Sequence, residues 1–249
     1  AADFAAVQLR LTERGLRSCA YDRAGMGFSD PGPKPRDSAA IVSDLEKLIA
    51  ASGEPGPFIL MAHSMAGQHV RLFAGRNPDK VAGLVLLEAA TPEMGDDPRA
   101  QRFLGRVRMI ARGAAVAGSL GLTRIVYNMG DRIGLPPQGS VEKKRAYVSG
   151  RHARTSADEV LAWSAGATQA LASPPFDPRW PVAVITAYGK FGHGVEFFPS
   201  VEPDYGQVVV GRKPHDAGLR HLSGGQPDRH RGGSPEHMVI GHHMAGGIP

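Results

Sequence analysis

The sequence predicts an α/β protein built on a parallel sheet, and three observations carry that prediction. Short apolar runs, "LRSCAYD", "PFILMA" and "VAGLVLLE", alternate with segments of helical spacing as far as Glu88. Strand, helix, strand, helix, strand implies parallel strands joined by crossover helices. Between Thr91 and Pro181 the strand signals disappear, and they return at "PVAVITAY", so a helical block interrupts the alternation.

The elements follow in order. Ala2 to Glu13 reads as the end of a helix, closed by Gly15. "LRSCAYD" reads as a buried strand and "RAGMGFSDPGPKPR" as a long turn, in which Asp22 is expected to bond local backbone amides. A helix is predicted from about Asp37 to Ser52, with Ile41, Leu45, Leu48 and Ile49 at helical spacing and Gly53 just past its end. A strand at 57–62 leads through Ser64 into a helix whose apolar side carries Val70, Leu72 and Phe73, and "VAGLVLLE" is the third strand. The helical block is predicted as four pieces, 98–112, 114–128, 141–149 and 156–171, the last opened by a capping box from Ser156 to Glu159.

The expected organisation is a core over 1–94, a helical cap or lid over 95–180, and the rest of the core over 181–249. A block of that length exceeds one ordinary crossover and, placed above a sheet edge, would cover a site. The tail from Gly189 holds seven of the ten histidines and 13 of the 32 glycines, and poor order is expected there.

At 249 residues and 42% hydrophobic content, the chain is long enough for one large α/β domain or a core with an insertion. No apolar run approaches the about 18 residues of a membrane span. The one cysteine, Cys19, excludes an internal disulfide framework and a cysteine metal site, and is expected to be a buried core thiol. The net charge of +5 gathers partly in Arg99, Arg102, Arg106, Arg108 and Arg112, where Phe103 alone is aromatic. That is too little stacking surface for a nucleic-acid partner. No phosphate loop or metal-ligand spacing occurs, since the "GMG" at 25–27 is too short, so neither cofactor nor metal is expected.

Function gathers where such strands end, and Asp22, Ser64 and Glu88 all fall there. Ser64 lies in "MAHSMAGQHV", at a strand-to-helix turn flanked two residues either way by Ala62 and Ala66. A turn this sharp strains its central residue, exposes its hydroxyl and aims the next backbone N–H, that of Met65, at a developing oxyanion. A serine hydroxyl attacks only when a base takes its proton and a third group orients the base.

"AHSMAG" resembles the nucleophile elbow of the α/β-hydrolase fold superfamily, usually GxSxG, with both glycines replaced by alanine. "CAYDRAGMGFSDPG" and "NPDKVAGLVLLEAATPEM" are similar to the segments around the fourth and sixth strands of its esterases, so the resemblance covers about residues 1–94. It implies Ser64 as nucleophile and Met65 N–H as an oxyanion donor. His63 resembles a position that shapes the elbow, and His69 reads as a surface or packing histidine. For the acid, the segment after "PVAVITAY" offers no carboxylate until Glu196, whereas some members place the acid at the end of the sixth strand, where Glu88 stands. The base is expected in the tail, at His237 in "SPEHMV", with His242 or His243 as the alternative. The superfamily's first strands and its second oxyanion loop are expected to lie before Ala1, so the chain reads as N-terminally truncated. The resemblance implies a serine hydrolase acting on carboxylic esters through a Ser-His-Glu triad and an acyl-enzyme; the helical block, rich in Leu, Val, Ala and Met, points to a small-molecule ester with an apolar acyl or alcohol group, and a cytoplasmic location is expected. A Ser64 elbow argues against the dehalogenase and epoxide-hydrolase branches, which use aspartate there. The alternative is a non-catalytic remnant of the fold that serves as an interaction protein.

Overall fold

A computed structural model describes residues 2–125, 135–188, 208–212 and 237–241; side chains are described within the first two of these spans, except at 95, 96 and 186–188. The elements are α1 (Ala5–Glu13), β1 (Arg17–Tyr21), α2 (Ser38–Ser52), β2 (Phe58–His63), α3 (Ala66–Arg76) and β3 (Val81–Leu87), then α4 (Pro98–Ser119), α5 (Pro137–Tyr147), α6 (Gly150–Leu161) and α7 (Trp163–Leu171), then β4 (Val182–Tyr188), β5 (Val208–Arg212) and β6 (His237–Gly241). The strands form one six-stranded sheet in the order β1-β6-β2-β3-β4-β5, and every pairing is parallel. The predicted α/β class with an inserted helical block is therefore the observed one.

Period-two alternation sorts the strand residues onto two helix layers. Phe58, Leu60 and Ala62 of β2 pack with Val42, Leu45 and Ile49 of α2 and with Val70 and Phe73 of α3. Met61, between them in sequence, points the other way and joins Phe4, Val7 and Leu11 from the N-terminal helical segment. The spacing Ile41, Leu45 and Ile49 buries one stripe of α2, while Leu48 lies outside it and is 42% exposed. Asp37 caps this helix by accepting from Ala40 N–H at 3.0 Å, and Gly53 ends it at φ +66°.

Three local expectations are corrected. The two predicted helices at 98–112 and 114–128 are one helix through Ser119, because packing along α6 overrides the weak helix propensity of Gly113. Near its end α4 crosses α6 at Gly118 and Gly150, where a Cβ on Gly150 would stand 2.6 Å from the Gly118 carbonyl oxygen. The span 156–171 is two helices, and Ser156 caps neither; it is buried inside α6, whose N-cap is Ser149. Cys19 is exposed, on a strand at the sheet edge, rather than buried in the core.

Glu159, read in sequence as part of that capping box, instead forms an ion pair with Arg23. The guanidinium donates from Nε at 3.0 Å and from Nη2 at 2.5 Å, and both side chains are at most 3% exposed. The same turn is gripped twice more by α6: Gly27 N–H donates to His152 Nδ1 at 3.1 Å and Arg151 donates to the Gly27 carbonyl at 3.0 Å. Asp22 accepts from Phe28 N–H at 3.4 Å, the local role expected of it. Burial pushes the neighbouring Tyr21 hydroxyl up to about 12.

Replacing Glu159 by Gln would leave the Arg23 charge buried without its counter-charge. Glu159→Gln is expected to lower unfolding free energy by roughly 3–5 kcal/mol, read as a shift in denaturant midpoint; a change under about 0.5 kcal/mol would show that water reaches the pair.

Candidate active site

The carboxyl ends of β2 and β3 lie side by side, with His63 opposite Leu87 in the register. The next residue on each strand is Ser64 and Glu88. Both have left-handed backbones, φ +52° and +43°, and they are the two non-glycine residues with positive φ among the described residues. For residues with a Cβ this conformation is strained by about 1 kcal/mol or more and persists only where its surroundings enforce it.

The enforcing contacts are on the backbone. Ser64 N–H donates to Leu87 O at 3.3 Å, and the Ser64 carbonyl accepts from Ala90 N–H at 2.8 Å and Gly67 N–H at 3.0 Å. Each turn therefore holds the other. Ala62 and Ala66 are buried, so small side chains do stand on both sides of the elbow. Sequence reasoning passed over Gly67, the described glycine packed most closely against backbone: a Cβ there would lie 2.4 Å from the Ala90 carbonyl oxygen. The "AG" following "SM" was the available signal.

Met65 is the N-cap of α3, so its backbone N–H precedes the first intrahelical bond and belongs to the orphan donors of a helix N-terminus. Its side chain is buried with Ala90, Leu104 of α4 and Trp163 of α7, which ties the helical block to the elbow. Glu88 is 38% exposed, and its Oε2 lies 4.0 Å from His63 Nε2. Burial pulls the His63 pKa down, and the nearby carboxylates of Glu88 and Asp3 only partly oppose that pull. His63 is thus held toward its neutral form, and the contact is a weak one.

His69, expected to be a surface or packing histidine, is a packing one. Its Nδ1 lies 2.9 Å from Ser38 Oγ on α2, and burial, with the Arg23 and Arg36 charges, pulls its pKa to about 3. A small cavity lined by Asp3, Asp22, Phe28, Lys143, Tyr147 and His152 lies between the N-terminal segment, the turn after β1 and helices α5 and α6. Ser64 is not part of its wall. Asp3 and Lys143 act on the His63 titration, which puts the cavity on the His63 side of the elbow.

The structure does not bring His237 to Ser64. His237 opens β6 opposite Arg17, at the amino edge of the sheet, whereas Gly241 closes it opposite Tyr21. Four residues of strand put the two edges about 13 Å apart. A base has to stand at the carboxyl edge, so the position expected from "SPEHMV" is corrected by the strand register. His242 and His243 follow Gly241 directly; they lie outside the described residues, as does Glu196. No cluster of three metal-ligating side chains occurs among the described residues.

The sequence profile of the family described as "alpha/beta hydrolase fold" matches residues 4–187. An uncharacterized protein of Schizosaccharomyces pombe is 28% identical over 212 residues, 82% of this chain and 38% of that protein. An uncharacterized protein of Bacillus subtilis is 27% identical over 105 residues, 42% of this chain and 31% of its own length. The chain thus spans about a third of the length of these relatives. Among solved structures, a Pseudomonas aeruginosa protein described as a candidate epoxide hydrolase superposes with a TM-score of 0.58 at 15% identity, over 78% of this chain and 70% of that one, a likeness of fold.

Two measurements check the elbow's surroundings. Gly67→Ala is expected to destabilise by about 1–3 kcal/mol through its clash with the backbone, while Gly105→Ala, in open space on α4, stabilises by about 0.5–1 kcal/mol. For His69 the folded pKa is about 3 against 6.5 for the unperturbed group. Below pH 6.5 the unfolded chain binds a proton that the folded chain refuses. Stability is therefore lost as pH falls from there toward 3, by up to about 1.4 kcal/mol per pH unit, and is unaffected above. The denaturant midpoint of His69→Asn should fall less between neutral and mildly acid pH than that of the parent; equal falls would place a proton on His69 in the folded state.

Proposed function

The chain belongs to the alpha/beta hydrolase fold family, and on that premise we propose that it is a serine hydrolase acting on carboxylic esters through an acyl-enzyme at Ser64. One observation carries the reading: a serine in a strained left-handed conformation at the carboxyl edge of a parallel sheet, directly before the N-terminus of α3. Glycine would adopt that backbone conformation without strain. The hydroxyl is what the strain preserves.

In the proposed reaction Ser64 Oγ attacks the ester carbonyl carbon as its proton passes to a histidine imidazole. The carbonyl π electrons move onto oxygen, where Met65 N–H donates to the oxyanion. The intermediate collapses with cleavage of the bond to the alcohol oxygen, which takes the proton from the imidazolium, and the acyl group stays on Ser64. Water then repeats the sequence and releases the acid. Glu88 is proposed as the carboxylate that orients the imidazole, because it stands next to Ser64 in the register at the carboxyl edge of the sheet. The base is proposed to be His242 or His243, which follow the carboxyl end of β6. Helices α4–α7 are proposed as the lid. The apolar Met65, Leu104 and Trp163 around the elbow favour an ester with an apolar acyl or alcohol group.

Fluorophosphonate labelling tests the reading, since only an activated serine reacts quickly. The protein should label at Ser64 and Ser64→Ala should not label at all; labelling at another serine, or none in the folded parent, sinks the proposal and favours a non-catalytic role. Glu88→Gln should lower turnover of an aryl ester by about two to four orders of magnitude with the fold intact. Activity within about threefold of the parent would place the acid elsewhere.

A further inference from the structure

We propose that the outward face of α4, with the turn after it, is a docking surface for an anionic lipid membrane, on which the protein lies without crossing it. No helix among the described residues is long and apolar enough to span a bilayer, so the question is one of surface binding. This inference does not depend on the chemistry at Ser64.

Charge is the first observation. From Pro98 to Ile125 the chain carries six arginines and no aspartate or glutamate. Arg108 is turned inward and donates to Ser164 Oγ at 2.9 Å. The other five, Arg99, Arg102, Arg106, Arg112 and Arg124, are exposed and make no ion pair among the described residues. A fivefold positive surface with no counter-charge among the described residues fits an anionic partner.

Apolar exposure is the second. Phe103, Met109, Ile110, Val116, Leu120 and Ile125 are each between 47% and 84% exposed. They are not spill-over from the packed side of the helix, which carries Ala100, Leu104 and Gly118. Phe103 and Ile110 are seven residues apart and share one side of the outward face; Met109, Val116 and Leu120 share the next. Arg99 and Arg106 fall between the two rows, and Arg102 lies in line with the second. Arginine at such positions can cover apolar neighbours with its stem and offer its guanidinium fork to phosphate.

These two features together choose the occupant. A nucleic acid would satisfy the arginines but leave five exposed aliphatic side chains in water. A second copy of this chain would cover the apolar rows but oppose like charges across the contact, with no acid on either side. The headgroup region of an anionic bilayer supplies phosphate for the arginines and hydrocarbon for the aliphatic tips at the same depth.

The test is flotation of the full chain with vesicles of phosphatidylcholine alone and with about one third phosphatidylserine, at physiological salt. Binding to the anionic vesicles is expected to be at least about tenfold stronger. Phe103→Ser with Ile110→Ser should weaken it about tenfold or more at unchanged circular dichroism, since both side chains are exposed. Arg102→Gln with Arg106→Gln and Arg112→Gln should erase the anionic preference, and Ser64→Ala should leave binding as it is. Equal or no binding to the two vesicle types, binding indifferent to these variants, tighter binding to a DNA duplex, or a dimer dissolved by the serine variants with no lipid binding would each overturn the proposal.

Discussion

Two carbonyl and amide contacts hold this site together. The Ser64 carbonyl accepts from Ala90 N–H, Ser64 N–H donates to Leu87 O, and the left-handed turns at Ser64 and Glu88 are thereby locked to each other. Neither turn is favourable alone. The need for this approach sets the small residues at Ala62, Ala66 and Gly67, the position of α3 over the sheet, and the nearness of a carboxylate to the serine. Side-chain chemistry at the carboxyl edge is laid on a backbone arrangement that would relax if β2 and β3 slid by a single register step.

Much of this was legible in the sequence because it rests on local signals. Apolar runs bounded by turn residues marked β1 to β4, helical spacing with Asp37 and Gly53 marked α2, and a serine between alanines marked the elbow. What escaped depends on tertiary contact. Gly113 looks like a helix break and is not one, because α4 packs against α6. Ser156 and Glu159 have the spacing of a cap, yet Glu159 is claimed by Arg23 from a turn 136 residues away in sequence. His237 was placed by a pattern of neighbouring residue types, which carries no information on which end of a strand it occupies. The strand register supplies that information.

Two of the contacts that join the helical block to the core differ in kind. At the elbow the join is apolar, through Met65, Leu104 and Trp163. At the turn after β1 it is ionic and buried, through Arg23 and Glu159. The apolar contact is tolerant of small shifts, whereas the bidentate pair is directional and costly to break.

The position of β6 has a consequence for synthesis. Its slot lies between β1 and β2, both of which leave the ribosome long before it. At about 5–20 residues per second, the interval between the end of β2 and the arrival of Gly241 is on the order of ten seconds or more. Throughout that interval β2 has, among the described strands, only β3 to pair with, and the facing edges of β1 and β2 lack the strand that joins them. The nascent chain thus carries two unfilled strand edges facing one gap, a template that any extended segment of suitable pattern can enter before the intended one arrives.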